Sequence, residues 1–134
     1  MSKYYGNREK IVSKCPYADL FSQGVQVGST IYMAGQIGTD EAGHAPDGLV
    51  EQMQHAYRHV AAVLAEFDCS MDNIVEETWF VTDMHECMSQ VQALFAARQA
   101  IYGKKPEVAQ TLVQVVSLVD PAFKIEIKCV AMQG

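Results

Sequence analysis

A chain of 134 residues, 49% hydrophobic and 19% charged, holds one domain with a single core and is too short for two. Its net charge of −6, with ten scattered basic residues, argues against tight nucleic-acid binding, whose affinity comes from Lys and Arg displacing counterions. No apolar run approaches the ~20 residues that span a bilayer, and Met1 to Tyr5 lacks a signal peptide's apolar core, so a cytoplasmic protein without membrane or nucleic-acid partner is expected.

Met1 to Ala18 is polar and irregular, contains Cys15-Pro16, and reads as a loop-like lead-in with an edge strand as its one regular option. From Phe21 onward polar and apolar residues alternate, break at Gly28-Ser29 and resume with Thr30-Ile31-Tyr32-Met33, as in a hairpin with one buried face. The second strand ends on Gly35-Gln36, where the missing Cβ lets another backbone or a ligand approach. Thr39 to Gly48 is rich in turn formers and predicts a surface loop.

Val50, Met53, Tyr57, Val60, Ala61, Leu64 and Phe67 recur at spacings of three and four, predicting a helix with Glu51, Gln54, His55, Arg58 and Glu66 on its outer side. After a turn at Asp72-Asn73, the β-branched and aromatic run Ile74 to Val81 predicts a strand. Met88, Val91, Leu94, Phe95, Ile101 and Tyr102 mark a second helix, capped by Gly103. Two strands finish the chain, about Ala109 to Leu118 and Phe123 to Met132, joined by the turn Val119 to Ala122.

The order β-β-α-β-α-β-β implies a single two-layer α+β domain over residues 1–134, a mixed sheet with two helices on one face. Ala109 to Leu118 is apolar except at Gln110, Thr111, Gln114 and Ser117, so both its faces call for cover and a second subunit is expected to supply one. Cys15, Cys69, Cys87 and Cys129 form no Cys-X-X-Cys pair and read as free thiols or core residues. His55 and His59 share a helix face at zinc-chelating spacing, but no third ligand is evident, so no metal is expected. No phosphate loop, nucleophile elbow or dinucleotide fingerprint is present, and no cofactor is expected.

The hairpin ending in Ala34-Gly35-Gln36, the segment Pro106 to Val113 and the last strand Phe123 to Ala131 together resemble the RidA/YjgF family of small deaminase-like proteins, also called endoribonuclease L-PSP proteins. The resemblance runs from about Phe21 to Ala131 and implies the chorismate mutase-like fold and a barrel-like homotrimer with ligand clefts between neighbours. It also implies an arginine on the penultimate strand that grips a substrate carboxylate. That position is Gln110 here, and no arginine lies between Lys105 and Gly134.

Glu126 matches the acidic residue of the family's last strand, implying an acid that orients water or the substrate nitrogen. The alternative is a solvated or ion-paired stripe with Lys124 and Lys128. Phe21 and Ala34 stand where a tyrosine and a serine are common, so two hydroxyls are absent; ordinary packing is the other reading. Phe21, Ala34, Gly35, Gln36 and Gln110 are the expected substrate-binding residues, with Gln110 and Glu126 sharing a pocket with Phe21 and Gly35. The expected function is binding of a small metabolite between subunits and hydrolysis of a non-standard enamine or imine. A non-catalytic metabolite-binding or regulatory trimer is the alternative, with a nuclease or translation inhibitor disfavoured by charge.

Overall fold

Seven strands form one sheet in this computed structural model, which describes residues 7–13 and 20–134. In chain order they are β1 (Arg8–Val12), β2 (Gly24–Val27), β3 (Thr30–Met33), β4 (Gln36–Ile37), β5 (Ile74–Val81), β6 (Ala109–Gln114) and β7 (Ile125–Met132). Helices α1 (Leu49–Glu66), α2 (Met84–Ser89) and α3 (Val91–Tyr102) complete the α+β domain. The strand order is β1-β2-β3-β7-β5-β6, with β4 also paired to β7. Among the described strands only β5 and β6 run parallel, because α2 and α3 supply the crossover that a parallel pair needs.

Alternation along the central strands sets the layers. Ile125, Ile127, Cys129 and Ala131 of β7 and Glu77, Trp79 and Val81 of β5 are buried under the helices. Glu76, Thr78, Phe80, Glu126, Lys128 and Met132 take the opposite face, where these residues are partly or fully exposed. From α1, Met53, Tyr57, Val60 and Leu64 fill the core as expected and Ala56 joins them, whereas Ala61, expected on the same face, is exposed.

The Ile74–Val81 strand and the hairpin lie where the sequence places them, and Gly103 ends α3 at a φ of 77° in the left-handed region. The lead-in does hold an edge strand, β1; its Cys15-Pro16 stretch lies outside the described residues. Three boundaries differ from expectation. The second helix is two helices, since Gln90 closes α2 and opens α3, and the Asp83 side chain caps α2 by accepting from Glu86 N. The chain resumes pairing after Gly35, making β4. The penultimate strand stops at Gln114: Val115 N still donates to Val81 O, and Val116 is then fully exposed.

Candidate functional site

The break between β3 and β4 builds the site. β3 pairs with residues 130–132 of β7 and β4 with residues 126–127, so Ala34 and Gly35 arch away from β7 between two paired stretches. The arch is fixed by Ala34 N donating to Gln23 O (2.9 Å), and by the Gln36 amide donating to Ala34 O (3.0 Å) and Gln23 Oε1 (2.6 Å). A Cβ on Gly35 would collide with the carboxyl end of Glu126, so glycine is what admits that side chain under the arch.

A cavity of about 500 Å³ opens there. Phe21, Gln23, Gly35, Gln36, Phe123 and Glu126 line it from the sheet side. His59, Ala62, Val63 and Glu66, at i, i+3, i+4 and i+7 on α1, line it from the helix side. Glu126 is partly buried, and burial raises its pKa above the ordinary 4.5. Such a carboxyl keeps its proton to higher pH and can pass it to a bound nitrogen. His59 Nε2 lies 2.9 Å from Thr39 O; a carbonyl only accepts, so Nε2 carries the hydrogen of that bond.

A second polar centre lies on the opposite face of the sheet. Glu77, in the middle of β5, is 0% exposed. Its Oε1 accepts from Tyr57 Oη (2.8 Å) and Tyr102 Oη (2.7 Å), and its Oε2 from Arg98 Nε (2.7 Å) and Gln110 Nε2 (2.7 Å). Trp79 Nε1 in turn donates to Tyr57 Oη at 3.0 Å. Burial, and then the Glu77 charge, drive both tyrosine pKa values far up, so both remain donors. Burial would lower the Arg98 pKa; Glu77 more than reverses this, and the net shift is upward. The guanidinium sits 5.6 Å from the Phe95 ring and 5.3 Å from the Tyr102 ring. Four donors on one buried carboxylate leave it no unmet acceptor of consequence.

The structure therefore brings together Phe21, Gly35, Gln36 and Glu126, but not all of the residues expected beside them. Ala34 forms the arch without lining the cavity. Gln110 pairs in register with Glu77 and bonds to it, whereas Glu126 pairs in register with Phe80, three residues further along β5 and therefore on the other face. A pocket shared by Gln110 and Glu126 is thus not formed within one chain, and one that joins them requires a second copy. Lys124 does not pair with Glu126; its Nζ reaches Glu86 Oε1 at 2.8 Å. His55 meets Arg58 Nη1 at 2.8 Å, and the described residues contain no group of three metal ligands.

Sequence reasoning missed the Glu77 cluster and His59's place on the cavity wall. It also missed Gln52, which is buried and ties together the loops that enter α1 and β7 by donating to Pro46 O and Ala122 O and accepting from Lys124 N. The available signal was a polar residue on an apolar stripe: Arg98 falls midway between Leu94 and Tyr102, four residues from each.

Comparison with known proteins gives consistent results. The family model described as Endoribonuclease L-PSP matches residues 13–133. A Mus musculus protein named 2-iminobutanoate/2-iminopropanoate deaminase is 31% identical over 116 residues, 85% of this chain and 82% of its own. The RutC family protein YjgH of Escherichia coli K12 is 28% identical over 111 residues, 83% of this chain and 81% of its own. The crystal structure of the YjgF gene product from E. coli superposes with a TM-score of 0.77 at 25% identity, covering 92% of this chain and 94% of that one.

Proposed function

We propose that this chain, which belongs to the endoribonuclease L-PSP (RidA/YjgF) family, binds a small metabolite in a cleft completed between copies and hydrolyses an imine or enamine that lacks a carboxylate. The observation that carries the reading is the cavity at the β3–β4 break, where a partly buried carboxyl of raised pKa sits beneath a glycine arch beside two amide side chains. Water adds to the C=N carbon while the nitrogen takes the Glu126 proton. The carboxylate so formed accepts the proton of the added water, and the carbinolamine loses ammonia to leave a carbonyl.

The relatives' names specify 2-iminobutanoate and 2-iminopropanoate, both carboxylates. Gln110 offers no cation to hold such a group, a loss of roughly 1.5 to 3 kcal/mol of charge-assisted binding. A family member that binds without turnover is the second reading, favoured by the same position. With a net charge of −6, the nuclease activity in the family's description finds no support in this sequence.

The test generates imines in situ, 2-iminopropanoate from an amino acid oxidase and an uncharged alkyl imine from an amine oxidase, and follows ammonia release. The uncharged imine should be accelerated, 2-iminopropanoate little, and Glu126→Gln should lower turnover by about 10²–10⁴-fold. Acceleration of neither, with binding retained, selects the non-catalytic reading. Strong acceleration of 2-iminopropanoate would show that another residue holds the carboxylate.

A further inference from the structure

We infer that Glu77 makes Gln110 an acceptor toward the ligand, so that the cleft selects a group presenting N–H, such as a primary amide, over a carboxylate. The inference rests on the reading that Gln110 faces a cleft between copies, and it names the ligand chemistry of that cleft. Glu77 Oε2 already holds Arg98 Nε when it receives Gln110 Nε2 at the same 2.7 Å. A carboxylate oxygen only accepts, so the arm of the Gln110 amide that meets it must be the NH2. Turning the amide over would lose that bond and press Gln110 Oε1 against Glu77 Oε2, two acceptors in contact in a buried setting.

The other arm, Oε1, receives no hydrogen bond from the described residues, and Gln110 is only partly buried. A ligand carboxylate brought there would meet a carbonyl oxygen, whereas an amide N–H would find its acceptor. The guanidinium that shares Glu77 Oε2 with Gln110 does not reverse this preference. Arg98 is paired with Glu77 and packed against the Phe95 and Tyr102 rings, so the cluster presents no net positive charge. Glu77 is thus a positioning residue: it acts on the ligand through Gln110.

Pyruvamide and pyruvate, which differ only at the group in question, are the probes, titrated calorimetrically into the full chain while sedimentation reports its assembly. Pyruvamide should bind about tenfold more tightly than pyruvate. Gln110→Leu, which leaves three of the four bonds to Glu77 in place, should abolish that preference. Glu77→Gln should narrow it by freeing Gln110 to turn over; should that variant fail to fold, Gln110→Leu still decides. Equal or tighter binding of pyruvate, failure of both probes to bind, or a preference that survives Gln110→Leu overturns the inference. A monomeric sample would fell the inter-subunit reading and this inference together, whereas an assembled protein without the preference fells this inference alone.

Discussion

At Gly35 the geometry ties a single missing methyl group to the position of the acid. Gly35→Ala would drive its Cβ into the Glu126 carboxyl end, and because that end is a flexible side chain, the carboxyl moves and the backbone does not. The variant should fold with nearly the parent's melting temperature yet lose imine turnover. Gly38 makes the opposite case, since a Cβ there meets the Gln52 backbone, which cannot give way: Gly38→Ala should cost about 1–3 kcal/mol in denaturant unfolding. Glu126 itself carries a pH signature. Its folded pKa is raised, so the native state binds more protons than the unfolded chain, and stability falls as pH climbs from 4.5 through the folded value. Glu126→Gln should therefore be more stable than the parent at neutral pH, with the gain disappearing near pH 4; melting curves across that range would show it.

Among the elements, β5 shows what the sequence makes legible and what it hides. The β-branched and aromatic run Ile74 to Val81 announces a strand on its own composition, and the periodic stripe of α1 announces a helix. Local pattern cannot say that Glu77 is buried, because the residues that make burial tolerable lie 20, 21, 25 and 33 positions away, on α1, α3 and β6. Gly35 was legible as a point of close approach, but what comes close there is the side chain of Glu126, 91 residues on, where the sequence led one to expect a backbone or a ligand. The placement of Gln110 was not legible, because it depends on which face of an edge strand meets a carboxylate chosen by tertiary packing. Removing that carboxylate strands a buried guanidinium, so Glu77→Leu should cost about 3–5 kcal/mol. The double variant Glu77→Leu with Arg98→Leu should lose less than the single one, a coupling that chemical denaturation of the three proteins would measure.

For the molecule as a whole, the face of the sheet opposite the helices is the surface on which association would show. Tyr32 and Met132 are 52% and 44% exposed there, Val130 lies in register beside Tyr32, and β6 is exposed or only partly buried along its length. Apolar side chains on such a face call for cover, and among the described residues no helix covers it. We propose that further copies do, as a homotrimer. Sedimentation at low micromolar concentration should give one species at three times the 14.8 kDa chain mass. Val130→Lys tests the face directly. The new ammonium lies in register with Glu76 on β5 and can pair with it on the surface of an isolated chain, so the fold is preserved, while against a neighbouring copy the same charge would be desolvated. The variant should sediment as a folded monomer. Because Gln110 and Glu126 occupy opposite faces of one sheet, that monomer should also lose ligand binding while keeping the cavity at the β3–β4 break. A monomer that binds and turns over substrate as the parent does would mean that one chain's cavity suffices and that Gln110 has no part in it.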